Sequence, residues 1–209
     1  MPTTTTVVTP LRFEQGLTYA GFLAQAAVNR DKFEHNHPAL TEDDLSFFHK
    51  AATLARGPRK LLAIAEAWCG DVYRELPTAI RIAEAAGLDL RIFLRDENPD
   101  IMDEFLSNHG KSRAIPVFVF YTADMRYITH FTERSASAHA GLAIAIEDAK
   151  TKLNLPASAS FGTLVGPDQQ AFLTELIARI EPYSEQWRKD AIQEIRQLLS
   201  AALDIPDAA

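Results

Sequence analysis

The sequence predicts an α/β fold: a central sheet laid down in the order β-α-β-α-β-β, with helical extensions before and after it. Three observations carry that reading. Two apolar runs, at 60–68 and 88–94, flank a stretch of helical period; Asn98-Pro99 opens a further helical stretch; and two β-rich runs, 116–121 and 126–131, stand close together. The expected organisation is a single domain, with an N-terminal helical extension over 1–57, the sheet core over 58–135 and a C-terminal helical extension over 136–209.

Taken in order, residues 11–34 place Tyr19, Phe22, Leu23 and Ala26 at helical spacing, and residues 41–55 do the same with Leu45, Phe48 and Ala52. The second helix has a start signal in Thr41 and Asp44, a capping-box spacing, and a stop in Arg56-Gly57-Pro58. The run from Lys60 to Trp68, a helix from about Val72 to Ala86 and LDLRIFL at 88–94 make a βαβ unit, so those strands are expected parallel. Asn98 and Pro99 supply an N-cap and a first-turn proline; Ile101, Met102, Phe105 and His109 then recur on one face as far as Gly110. PVFVFY at 116–121 and RYITHF at 126–131 read as a hairpin that ends the sheet. Helices are expected over 140–153, 168–181 and 184–203, the last with Trp187, Ala191, Ile195 and Leu198 on one stripe, and turns over 154–167. Helices in ones and twos bury too little alone, so these flanks are expected to pack on the sheet unit.

Composition narrows the function classes. The chain has 209 residues, 47% of them apolar and 23% charged, which is enough for one sizeable core. Against 28 acidic residues stand 21 basic ones, a net charge of −7 with no basic block, which argues against a nucleic-acid or acidic-membrane partner. Apolar runs such as LLAIAEAW at 61–68 fall far short of the ~18 residues that span a bilayer. MPTTTTVVTP has neither a positive start nor a long apolar stretch, so it reads as a frayed polar tail on a cytoplasmic protein. A single cysteine excludes an internal disulfide and a cysteine-based zinc site.

That cysteine sits where the first strand hands over to a helix, in Trp68-Cys69-Gly70-Asp71. In parallel α/β sheets this junction is where reactive groups collect. A helix N-terminus contributes up to ~2 kcal/mol in favour of an anion, about 1.5 pKa units, which would take a thiol from ~8.5 to near 7. Asp71 pushes the other way, so a modest depression is expected at Cys69. The bland reading of a lone cysteine is an inert core filler, but the junction and Gly70 argue for an exposed thiol. Trp68 reads as partly buried packing over the sulfur, Asp71 as a first-turn charge, and Val72 as core or hydrophobic rim. His35, His37 and His49 match no metal-ligand spacing and read as surface histidines; His109 reads as a helix C-terminal charge and His130 as a strand residue. Arg95-Asp96-Glu97 reads as a turn feeding the Asn98 cap.

With these residues in view, the stretch from about 60 to 131 resembles the thioredoxin superfamily, in particular its bacterial branch with a Trp-Cys-Gly-Asp motif. Trp68 precedes Cys69, Pro77 follows where thioredoxins carry a helix-kinking proline, and Ile115-Pro116 opens the hairpin where they carry a cis-proline. LRDENPDIMDEFL at 94–106 and WRKDAIQEIRQLL at 187–199 extend the likeness over most of the chain. The resemblance implies a thioredoxin-like sheet, a cis Pro116, and an Ile115 backbone that pairs with an extended substrate. It also exposes departures. The second cysteine of C-x-x-C is Val72, the buried acid six residues before the cysteine is Ala63, and Thr132-Glu133-Arg134 stands where a glycine is expected after the hairpin. Glu66 is near but on the opposite parity of the strand from the missing acid.

A dithiol cycle is therefore excluded. The expected function is a monothiol oxidoreductase in which Cys69 is catalytic and Trp68, Gly70, Asp71, Arg113, Ile115 and Pro116 form the substrate site. Its partner would be a protein disulfide or mixed disulfide; no resident cofactor or metal is implied, and glutathione or another low-molecular-weight thiol would be the co-substrate. Arg113 reads either as a ligand for a glutathione carboxylate or as a solvated loop arginine. The alternative from another class is a redox-inactive peptide-binding module that keeps the groove beside Cys69 and Pro116. A third is iron–sulfur or heme binding through the single thiolate, with glutathione.

Overall fold

The computed structural model describes residues 7–36 and 38–207, and its contacts divide the chain into two compact units. The first holds the chain up to Arg134 together with the part from Ala191 onward; the second is Ser135–Asp190.

The first unit is organised by a four-stranded sheet of order β2-β1-β3-β4. Strands β1 (Lys60–Ala65) and β2 (Asp89–Leu94) run parallel, with Lys60 opposite Asp89 and Ala65 opposite Leu94. Strand β3 (Val117–Tyr121) is antiparallel to β1, and β4 (Tyr127–Thr132) is antiparallel to β3. The apolar runs follow from position: β3 is buried throughout and β1 from Leu61 on, because both are central, whereas the edge strand β4 alternates buried and half-buried residues. Helix α5 (Gly70–Ala86) makes the crossover from β1 to β2 and buries Val72, Leu76, Ala79 and Ile82. This is the predicted α/β architecture with helical extensions.

The N-terminal extension departs from the single helix expected over 11–34. It is three short helices, α1 (Pro10–Phe13), α2 (Tyr19–Gln25) and α3 (Arg30–His35). The helical spacing holds within α2, where Phe22 is buried and Tyr19 and Leu23 pack partly buried on the core, while Phe13 and Phe33 of the flanking helices are buried there as well. The breaks have local causes. Thr9 and Thr18 cap new helices with their side chains, and Asn29 takes φ 59°. Between α1 and α2, Leu17 exchanges two 2.8 Å hydrogen bonds with Ile92, covering part of the β2 edge. Gly16 permits that approach, because a Cβ there would lie 2.7 Å from the Arg91 Cβ. Of the sequence read as a frayed tail, residues 1–6 lie outside the described residues, but Val8 is buried and Thr9-Pro10 open α1.

Helix α4 (Glu42–Thr53) starts with the predicted capping box: the Thr41 N–H donates to Asp44 Oδ2 at 3.0 Å and the Asp44 N–H to Thr41 Oγ1 at 3.1 Å. Helix α6 (Pro99–Met102) opens at Asn98-Pro99 as read, but it passes into a 3₁₀ turn at Asp103–Phe105 and ends. His109 is therefore not a helix C-terminal residue. Asn108, His109 and Gly110 all adopt positive φ in a tight turn closed by Ser107 and Ser112. Helix α9 (Ser184–Leu203) buries Ala191, Ile195, Leu199 and Leu203 at strict i+4 spacing, which leaves Leu198 exposed beside the stripe rather than on it. Among the described residues no helix is long and apolar enough to cross a membrane.

The second unit comprises α7 (Ala136–Lys152), α8 (Gly166–Ile180) and the start of α9. Ser135 caps α7 through the Ala138 N–H, and α7 packs against α8. Gly141 lies against the Trp187 ring so closely that a Cβ there would overlap it. Trp187 is held in turn by stacking on Tyr183. Gly141→Ala is thus expected to destabilise this unit by about 1–3 kcal/mol, the usual cost of overpacking, although alanine favours helix. A urea melt followed by tryptophan fluorescence measures it.

Candidate functional site

Cys69 is the N-cap of α5, with extended backbone angles and its N–H donated to the Glu66 carbonyl at 3.1 Å. The strand β1 ends four residues earlier, so sheet register and helix start together fix where the sulfur lies. The Ile115-Pro116 peptide is cis, as the resemblance implied, and the Cys69 Sγ–H donates to the Ile115 carbonyl at 3.7 Å. Cys69 is partly buried, while Ile115 is only 4% exposed. Thiol, helix N-terminus and the Ile115-Pro116 backbone meet at one place.

The expected depression of the thiol pKa is not what this geometry produces. Burial pushes Cys69 up and is the largest influence. The Val72 and Asp71 N–H groups and the Arg134 charge favour the thiolate, the Asp71 carboxylate opposes it, and the balance remains upward. The helix terminus does what was expected of it, but the sulfur is tucked against residue 115 instead of standing in water. The alkylation rate of Cys69 with iodoacetamide should accordingly keep rising with pH beyond the ~8.5 of a free cysteine. A midpoint at or below that value would contradict the buried geometry.

The neighbours fall out as follows. Trp68 does not shield the sulfur as packing: it is 52% exposed, with the Arg95 guanidinium 4.9 Å from its ring centroid. Arg95, read as a turn residue, thus also props Trp68. Gly70 starts α5 and its carbonyl accepts from Arg74 at 3.0 Å. Asp71 is more than a first-turn charge, because Arg134 bridges it to Glu133. Arg134 went unrecognised in the sequence, where 63 residues separate it from Asp71. Val72 is fully buried, as core. Arg113 is exposed and makes a two-pronged pair with Asp103 at 2.9 and 3.0 Å. Glu66 accepts the Asp96 N–H at 2.9 Å, and its burial pushes the carboxyl pKa up. His130 bonds Tyr127 at 2.6 Å rather than the thiol, and burial pushes its pKa down. His35 and His49 are exposed, and His37 lies outside the described residues. Among the described residues no three His, Cys, Asp or Glu side chains converge on a point that could hold a metal ion.

The family profile described as thioredoxin matches residues 16–150, most of the chain. The chain belongs to the thioredoxin family. Two solved structures share its fold. A Pseudomonas aeruginosa protein of unknown function superposes with a TM-score of 0.56 at 17% identity, covering 93% of this chain and 99% of the other. An HIV epitope-scaffold protein superposes with a TM-score of 0.55 at 16% identity over the same shares. No match was found among the curated proteins. In this chain Cys69 stands at the start of α5, the Ile115-Pro116 peptide is cis, and Val72, three residues after the cysteine, is fully buried.

Proposed function

We propose that this thioredoxin-family protein, with its likeness to the bacterial branch carrying Trp-Cys-Gly-Asp, is a monothiol thiol–disulfide exchange protein. The observation that carries the reading is the Cys69 sulfur 3.7 Å from the Ile115 carbonyl beside cis-Pro116. The Cys69 thiolate attacks one sulfur of a protein disulfide, forming a mixed disulfide and releasing the other sulfur as thiolate. No second cysteine resolves it, since the chain has one, so an external thiolate such as glutathione attacks the substrate-side sulfur. That step frees Cys69 and leaves the substrate joined to the external thiol; no net electrons are gained or lost by the protein. The Ile115 backbone would pair with the extended substrate, and Trp68, Gly70 and Asp71 would line its approach. Arg113 can hold a thiol's carboxylate only in competition with Asp103. A reducing compartment, as a cytoplasmic address provides, would supply the external thiol.

The upward shift of the Cys69 pKa favours a second reading, a peptide-binding module without redox turnover. A glutathione-coupled assay on a mixed-disulfide substrate separates the two. Turnover by the wild-type protein that disappears in Cys69→Ser supports exchange, whereas equal rates for the two proteins end it and leave the binding module.

A further inference from the structure

Pro77 lies inside α5 and has no N–H, so the carbonyl of Tyr73, four residues earlier, does not receive its usual helical donor. The Asn36 side chain supplies a donor instead: its Nδ2 lies 3.0 Å from that carbonyl. Seven residues earlier, Asn29 Nδ2 donates to the Ala67 carbonyl at 2.9 Å. The two amides bracket α3 and grip the chain on both sides of Cys69, two residues before it and four after. The segment between them is anchored as well. Phe33 is fully buried and meets Tyr73 edge-on at 6.4 Å, and Lys32 Nζ lies 4.6 Å over the Tyr73 ring.

We propose that Asn36 and Asn29 are positioning residues for Cys69, and that α3 is a clamp which holds the first turn of α5 closed over the thiol by making good the hydrogen bond Pro77 removes. The N-terminal extension then governs how exposed, and hence how reactive, the sulfur is. Its consequence for disulfide exchange rests on the reading of Cys69 given above, but the clamp itself does not.

The test measures Cys69 alkylation by iodoacetamide against pH, with hydrogen exchange of the 69–77 amides, for Asn36→Ala, Asn29→Ala and Pro77→Ala. Loss of the Asn36 bond should loosen the turn, speed alkylation at neutral pH about fivefold, the equivalent of one hydrogen bond, and lower the pH midpoint. Exchange of the 69–77 amides should quicken in parallel. Pro77→Ala restores a backbone donor to Tyr73, so adding Asn36→Ala in that background should change the rate less than about twofold, a coupling expected only of residues sharing one network. A merely structural role for Asn36 would give the same change in both backgrounds. That outcome, or rates unchanged in both Asn36→Ala and Asn29→Ala, overturns the clamp. Alkylation needs no disulfide turnover, so a protein that fails the glutathione-coupled assay yet shows the coupling retains the clamp and loses only the exchange reading.

Discussion

Val72→Cys is expected to turn the site into a dithiol that closes on itself. Residue 72 lies in the first turn of α5, three positions after the N-cap, where side chains sit roughly 5–6 Å apart at Cβ, close enough for the small rotations a disulfide needs. The Val72 N–H favours the Cys69 thiolate, which places the sulfur near the first turn of α5. The valine is fully buried, which gives an introduced sulfur the shielded resolving position. With oxidised glutathione as oxidant, the variant should lose both free thiols to one intramolecular bridge, while the wild type retains only a mixed disulfide with the oxidant. Thiol titration under denaturing conditions and intact mass read this directly. The variant should also reduce a protein disulfide without an external resolving thiol. Two free thiols persisting after oxidation would show that the first turn does not hold the two side chains together.

The largest expected loss of stability comes from Arg196→Ala. Arg196 is 2% exposed on α9 and pairs with Asp44 at 2.6 Å, Asp43 at 2.7 Å and Asp207 at 2.6 Å, while its guanidinium also lies 4.9 Å from the Phe47 ring centroid. Asp44 is itself buried, and Gln193 donates to it at 3.2 Å. Removing the cation leaves a carboxylate in the core, a change worth about 3–5 kcal/mol for a broken buried pair. A chemical melt should show it. Arg196→Met with Asp44→Asn, which removes both charges, should recover much of the loss.

The same pair sets a pH dependence. Burial disfavours the charged form of Asp44, but hydrogen bonds from Thr41 and Arg196 outweigh it and hold the carboxyl below its usual range. A folded-state pKa below the unfolded value contributes stability above the unfolded value, near 3.9, and loses it as pH falls through the folded value. Acid melts of the wild type should therefore weaken below about pH 4, and in Arg196→Ala, where burial still raises the Asp44 pKa but its cation is gone, that acid-induced loss should shrink.

Particular elements show how far the sequence could be read. The strands, α5, the Thr41 cap and the hairpin were legible because each is announced by a local device: an unbroken apolar run, a cap spacing, or alternating residues around a short turn. The helix expected over 11–34 was not legible as three pieces. Tyr19, Phe22 and Leu23 keep helical spacing within α2, while the Leu17–Ile92 bridge that precedes it depends on a strand 75 residues away. Likewise Asp71 gives no hint of Arg134, nor Ala67 and Tyr73 of Asn29 and Asn36, because the first pair meets only when the end of β4 reaches the start of α5, and the others only when the N-terminal extension packs beside it.

By itself the sequence determined that this is an α/β chain with one sulfur at a strand-to-helix junction and no second cysteine to resolve a mixed disulfide. Those are properties of residue identity and short-range period. Only the tertiary structure decided the state of that sulfur: tucked against the Ile115 carbonyl, with its pKa pushed up, and with its helix turn held by side chains from a distant segment. Exposure and solvation depend on every element that packs around a group, and no spacing along the chain encodes them.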